Sequence, residues 1–494
     1  MATLFDVLYL TDLRFPGGTS SSLVEEVRAA AASGYRTGVL QCESASLRAD
    51  RAFHPGVRAL LDDGLLELVV PGEAVRCGLA VVKHPTAMVE SLGGRLPVEA
   101  DRVISVVGQV PEDADGTRYY EPAEVQANIV EALGVAPEWW PVSPTVRRHL
   151  EGVGVPLAEV DWVEVIDVEA WRVERSGPLD SVPVIGRHGR PSRLKWPADP
   201  DELLAAYPDG EGFRVRILGG TDGLEEVLGE TPGGWEVLPF GAMDAREFLA
   251  GVDVFVYFHH PDLVEAFGRT VLEALAAGCV AILPDHFSGL FGDACLYAEP
   301  FEVRSLVQQL HADGLLERSA IGRAAVAERF SHSSHVARID ALVGPPSGAT
   351  GRDTPSPSAV GRLSDRRPRI LVSCIGSDGP TTAGVISAIT GHRDHATGFT
   401  PVVVTTVTGP ELAVHLGEGV DLLPQGRAFA TERGGVRVEV LPARRDHAGD
   451  ERWEDLVLRR LAEIVRGQRI DSVVPADPSH PDAWLVLQVS PDRR

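Results

Sequence analysis

The chain has 494 residues, 44% of them hydrophobic, enough for about three packed domains. Its formal net charge of −25 and pI near 5.0 exclude a broad basic face, so nucleic acid is not an expected partner and membrane contact is at most peripheral. The five cysteines are scattered without a CxxC pair and read as buried, reduced thiols. No run reaches the roughly 18–20 apolar residues of a membrane span. MATLFDVLYL opens as a strand rather than a secretory leader, so a cytoplasmic location is expected.

Residues 1–165 alternate strand and helix. LFDVLYLTD reads as a strand, RFPGGTSSS as a glycine- and hydroxyl-rich loop, and SLVEEVRAAAASG as a helix with Leu23, Val27 and Ala30 on one face. RTGVLQC, LLELVV, LAVVKH and DRVISVVG follow as strands, EPAEVQANIVEALG as a helix, and EWWPVSPTVRRHLEGVGV as a short strand and helix. This alternation predicts a doubly wound α/β domain. Residues 161–180, charged and aperiodic, read as a crossover to a second such domain over 181–340. There VPVIGRHG, FRVRILGG, WEVLPFG, DVFVYF, CVAIL and ACLYAEP predict strands, with helices near 199–207, 244–251, 269–277, 301–312 and 316–330. Ligands of paired Rossmann-like domains sit in the cleft between the carboxyl edges of the sheets. Residues 343–368, rich in Pro, Gly and Ser, predict a flexible linker. Residues 369–494 then restart as strand, glycine loop and helix, a third, partial Rossmann-like module. Whether that module is a fragment or a non-catalytic remnant stays open.

The densest signal is DVFVYFHHPDLVEAFGRTVLEALAAGCVAIL, residues 253–283. It reads as strand, loop, helix, turn, strand. The main-chain N–H groups of Phe267, Gly268, Arg269 and Thr270 are expected to point outward at the helix start, a site suited to phosphate. Glu265 and Glu273 beside a phosphate make sense as acceptors for hydroxyl groups. Phosphate plus many hydroxyls describes a nucleotide sugar. The competing reading is an ordinary amphipathic helix with a solvated Glu273.

Three further constellations bear on chemistry. Gly17 and Gly18, with Thr19 and Ser20, allow close backbone approach at the first helix start; a plain strand–helix turn is the alternative. IGRHGRPSRLKWP carries Arg187, Arg190, Arg193 and Lys195, a basic cluster in an acidic chain. Arg187 and Lys195 are candidates to neutralise a leaving diphosphate, with Arg190 or Arg193 able to stand in for Lys195. His84, at the end of a strand, and His259 and His260 are candidates to bond a sugar hydroxyl or relay a proton. Tyr119, Tyr120, Trp139 and Trp140 read as core or interface ahead of sugar stacking. No metal-ligand spacing, P-loop or nucleophile elbow is evident.

EAFGRTVLEALAAGC resembles the Glu-x7-Glu segment of retaining glycosyltransferases of the GT-B fold, the family 4 or glycosyl transferases group 1 type. The resemblance covers about residues 3–335 and is strongest over 183–300. It implies two Rossmann-like domains facing a cleft and transfer of a sugar from a nucleoside-diphosphate sugar to a glycan, lipid-linked or small-molecule hydroxyl acceptor, with retention and without a metal or other cofactor. It places Glu265 at the donor sugar and Glu273 at the ribose. Gly17, Gly18, Arg187, Lys195 and the segment Phe267–Thr270 are placed at the diphosphate. Many family members carry a histidine where this chain reads SVVGQVPED, with Gln109, so the family's single catalytic histidine does not carry over at that position; His84, at its strand end, is the candidate catalytic histidine of this chain. The alternatives are a sugar-nucleotide epimerase on the same fold and a non-catalytic nucleotide-sugar-binding or scaffold module.

Overall fold

A computed structural model describes residues 2–44, 46–47, 53–69, 74–210 and 212–347, and from the remainder 369–376, 381–382, 384–386, 400–406, 429–433, 436–441, 444, 453–467, 470, 472–476, 480, 482 and 484–489. The chain divides into two compact units: Met1–Arg48 with Val75–Ala349, and Ala49–Ala74 with Thr350–Arg494.

The first unit holds two parallel sheets. In one, strands Thr37–Gln41, Thr3–Thr11, Val75–Lys83, Val98–Val107 and Glu138–Pro141 lie side by side in that order. In the other the order is Leu296–Tyr297, Val280–Leu283, Val254–Val256, Val184–His188, Arg214–Leu218 and Trp235–Leu238. Both are doubly wound, as their near-continuous apolar strands predict, because helices cover both faces of a parallel sheet. In each sheet the first strand sits inside, and winding reverses beside it. Ligands bind at the carboxyl ends of the strands flanking such a reversal. In the first sheet those ends deliver Gly17 and His84. In the second they deliver the basic loop after His188 and the loop leading to Gly268.

Two boundaries differ from the sequence reading. Helix His332–Val343 does not stay with the second sheet. It returns to the first, where Tyr35 Oη shares its one hydrogen between Asp340 Oδ1 at 3.2 Å and the Gly344 carbonyl at 3.0 Å. Arg338 on the same helix donates to the Val163 carbonyl at 3.1 Å and lies 4.6 Å over the Trp162 ring. The boundary read at 340 therefore falls inside a helix. The expected strand LLELVV is cut to Glu67–Leu68, and Ala49–Ala74 groups with the second unit, where Phe53 stacks on Trp484 at 4.1 Å between ring centroids.

A buried ionic cluster ties the first unit together. Lys83 Nζ bonds Glu26 and, at 3.0 Å, Ser22 Oγ, and Trp162 Nε1 donates to Glu26 at 2.9 Å. Burial alone raises the Glu26 carboxyl, but Lys83 outweighs it and holds the group at about 2. Such a pair stabilises little over an apolar substitute, yet losing one partner strands a buried charge.

The second unit carries a sheet ordered Phe429–Arg433, Val436–Val440, Thr400–Thr405, Arg369–Cys374 and Ser472–Pro475, with helix Trp453–Gly467. The first pairing is antiparallel and the other three are parallel. From residue 348 the expected linker 343–368 lies outside the described residues. All five cysteines are buried thiols outside any disulfide, and among the described residues no helix is long and apolar enough to cross a membrane.

Candidate functional site

The second sheet contributes helix Arg269–Ala276, capped by Gly268 at φ 85°. Glycine suits this left-handed position, and a Cβ would also press to 3.3 Å from the Phe287 ring. Among the described residues the main-chain N–H groups of Phe267, Gly268, Arg269 and Thr270 donate to no other backbone group, as the first turn of a helix leaves them.

Glu265 precedes this start. All its contacts fall on Oε2, which accepts from Lys195 Nζ and, at 2.5 Å, from Tyr257 Oη. Oε1 has no partner among the described residues. Burial alone raises the Glu265 carboxyl; the Lys195 charge and the two hydrogen bonds outweigh it and hold the group at about 2. Burial likewise opposes the Lys195 charge, but Tyr257 and Glu265 keep the ammonium above its ordinary value. Glu273 lies one turn into the helix. Its Oε1 accepts from Arg269 Nε at 3.2 Å, and its Oε2 lies 3.4 Å from His188 Nε2. Burial, only partly countered by Arg269, pushes Glu273 up to about 7. Burial and then Arg187 hold His188 at about 4, so the His188–Glu273 approach is not an ion pair near neutral pH. Arg269 stands where the helix dipole disfavours a cation. Glu273, Glu164 at 3.4 Å and the Val165 carbonyl at 2.8 Å compensate.

The first sheet contributes Gly17 and Gly18 at the start of helix Gly18–Ala32. Gly17 takes φ 89°, and a Cβ there would lie 3.4 Å from Arg190 Nε. A Cβ on Gly18 would lie 4.0 Å from Arg269 Cβ. Two helix starts, one from each sheet, therefore come together, with the Arg190 side chain beside them. His84 ends strand Val75–Lys83, its ring 4.8 Å from that of Phe15.

The structure thus gathers Gly17, Gly18, Gly268 and Arg269 at one point, joins Glu273 to Arg269, and joins Lys195 to Glu265. It places Arg187 elsewhere. That guanidinium is buried 3.9 Å over the Trp196 ring and donates to Tyr207 Oη at 3.2 Å, the Phe258 carbonyl at 3.4 Å and the Lys195 carbonyl at 2.5 Å. It orders the loop, and Arg190 is the cation at Gly17. The Phe267 ring is buried against Phe291 and Phe330, so only its backbone is available to a ligand. Trp139 and Trp140 lie in the core. Among the described residues no group of three or more His, Cys, Asp or Glu side chains is placed to hold a metal.

Several participants were not singled out from the sequence. Ser143 Oγ donates to the Ala266 carbonyl at 2.5 Å, and Val264 N–H donates to Asp113 Oδ1 at 3.2 Å. Both bonds cross from the first half to the second and bracket Glu265. Ser143 is legible as a helix N-cap, accepting from Val146 N–H at 3.2 Å, but nothing local announces its second bond. His286, also not singled out, meets the candidate His259 at 3.2 Å between Nε2 atoms.

No family model and no curated protein matches the chain. Solved structures of similar chain path include a glycosyltransferase from Rickettsia africae, 11% identical, covering 68% of this chain and 98% of that one at a TM-score of 0.46. WaaG, a glycosyltransferase involved in lipopolysaccharide biosynthesis, is 13% identical over 68% of this chain and 100% of that one, at 0.44. The catalytic domain of starch synthase IV from Arabidopsis thaliana, bound to ADP and acarbose, is 12% identical over 69% and 98%, at 0.43.

Proposed function

We propose that the first unit is a GT-B-type glycosyltransferase that moves a sugar from a nucleoside-diphosphate sugar to a hydroxyl acceptor, with retention and without a metal. One observation carries this reading: the helix starts at Gly17–Gly18 and Gly268–Arg269 come together, with Glu273 bonded to Arg269 and Glu265 just before Gly268 in the chain. A diphosphate between them meets unpaired N–H groups from both sides. Arg190 adds charge where the leaving group becomes more anionic, which favours the transition state over the ground state. Glu273 takes the ribose hydroxyls. Glu265, its Oε2 held by Lys195 and Tyr257, offers Oε1 to a hydroxyl of the donor sugar. The acceptor oxygen then bonds to the anomeric carbon from the face the diphosphate leaves, and the acceptor's proton passes to a departing phosphate oxygen. The acceptor is a glycan, a lipid-linked sugar or a small hydroxyl compound, and the reaction belongs to glycan or glycoconjugate assembly in the cytoplasm.

Incubating the full chain with labelled nucleoside-diphosphate hexoses, with and without hydroxyl acceptors and with a chelator present, tests this. The expected result is chelator-insensitive transfer plus slow donor hydrolysis, the product keeping the donor's anomeric configuration by NMR. An epimerised nucleotide sugar would replace transfer with isomerisation. Tight donor binding without either product would make the unit a binding module.

A further inference from the structure

A file of hydroxyl groups runs from the surface to His84. Ser46 Oγ lies 2.7 Å from Ser44 Oγ, Ser44 Oγ donates to Thr86 Oγ1 at 2.8 Å, and Thr86 Oγ1 lies 2.7 Å from His84 Nδ1. Ser44 and Thr86 are buried. Ser44 N–H is pinned to Asp12 Oδ2 at 2.7 Å, and Asp12 is gripped by Arg14 and Gln41. The histidine is held as firmly. Its φ of 82° is the one positive value at a non-glycine among the described residues, a strain that persists only where the surroundings enforce it. Here Thr11 Oγ1 donates to the Lys83 carbonyl at 2.6 Å, His84 N–H donates to the Val106 carbonyl at 3.1 Å, and Lys83 Nζ is anchored on Glu26 and Ser22.

Each hydroxyl has one hydrogen to give. The Ser44 hydrogen goes to Thr86, and the hydrogen of the buried Thr86 hydroxyl has no acceptor other than His84 Nδ1 among the described residues. Nδ1 then accepts, and the single proton of a neutral imidazole must sit on Nε2, the bond at one ring nitrogen setting the state of the other. Burial, then Lys83, keeps the ring neutral near pH 7 by holding it at about 4. Nε2 has no partner among the described residues.

We propose that Ser44 and Thr86 fix His84 as the Nε2–H tautomer, making it a hydrogen-bond donor to an oxygen of the bound sugar or diphosphate rather than the base that takes the acceptor's proton. Ser44 and Thr86 are positioning residues; His84 touches substrate. The identity of the oxygen rests on the glycosyltransferase reading, whereas the tautomer does not.

Full-length protein labelled with ring-¹⁵N histidine tests both parts. Long-range ¹H–¹⁵N correlation, with the His84 signals assigned by their loss in His84→Gln, is expected to show Nε2 protonated and Nδ1 bare in the native chain. Thr86→Val should mix or invert this pattern, and Thr86→Ser should restore it. In transfer assays His84→Gln, whose amide N–H stands near the imidazole Nε2–H, should keep turnover within about tenfold of native, while His84→Ala loses about a hundredfold. A proton on Nδ1 in the native chain overturns the proposal. So does His84→Gln being as inactive as His84→Ala while native protein transfers normally. A native protein that transfers nothing overturns the glycosyltransferase reading alone, and the tautomer result still decides the role of Thr86.

Discussion

Replacing Glu273 with alanine is expected to lower affinity for a nucleoside diphosphate by about a hundredfold or more. A carboxylate accepting two ribose hydroxyls makes charge-assisted bonds worth roughly 1.5–3 kcal/mol each, and about 1.4 kcal/mol is tenfold in affinity. The fold should survive, because Arg269 keeps Glu164 and the Val165 carbonyl. The effect has a pH signature. Burial raises Glu273 to about 7, so below that pH the group is protonated and accepts hydroxyls poorly. Native affinity should therefore climb as pH rises through 7, and Glu273→Gln should flatten the climb. Linkage gives the opposite sign for stability. A carboxyl whose folded value lies above its unfolded one costs stability as pH rises from about 4.5 towards 7, so Glu273→Gln should be the more stable protein at pH 8. Calorimetric titration at several pH values, with denaturation at the same values, reads both; a native affinity independent of pH and of residue 273 removes Glu273 from the ribose.

Lys195→Met is expected to be severely destabilising and inactive. It strands Glu265 in a largely buried position, and breaking such a pair costs about 3–5 kcal/mol. Adding Glu265→Gln should return most of the stability, because no charge is then left unpaired, without returning turnover. Glu265→Gln alone leaves Lys195 on the Tyr257 hydroxyl without its counter-charge and so should also lose stability, while in the folded protein turnover should fall by about 10²–10³-fold and nucleotide binding persist, since it touches the sugar and not the nucleotide. The native pair also sets an acid limit. Glu265 is held at about 2 against an ordinary 4.5, so its contribution of about 3 kcal/mol is present above pH ~4.5 and lost as pH falls towards 2. Guanidinium denaturation across that window should show a shallower acid loss in the double variant than in the native chain. Equal acid profiles would mean that the pair does not stabilise the fold.

The sheets were legible because buried parallel strands are near-continuous apolar runs, and DVFVYF or CVAIL admit few other readings. Gly268 was legible for a related reason: a glycine between a loop and an apolar helical stripe has a backbone purpose. The fate of Arg187 was not. Both faces of strand Val184–His188 are buried, so alternation gives no hint which way a long side chain turns, and the Trp196–Tyr207 pair that receives it lies in separate elements. Tyr257 read as plain strand core, although its hydroxyl reaches Glu265. Helix His332–Val343 shows an apolar face, but such a face does not say which sheet it covers. The bond from Ser44 to Thr86 spans 42 positions, and no local pattern encodes a contact at that distance.

The proposed reaction needs a diphosphate held by the two helix starts, and Gly18→Asp addresses that placement directly. A Cβ at Gly18 has ordinary room, and an acidic side chain suits a helix N-terminus, so the variant should fold with native thermal stability. Its carboxylate would stand where the phosphates bind. In calorimetric titrations with a panel of nucleoside diphosphates, native protein should bind at least one of them, and Gly18→Asp should bind it about a hundredfold more weakly or not at all. Equal binding by a folded Gly18→Asp, or no binding by the native chain, would contradict a diphosphate site at these helix starts.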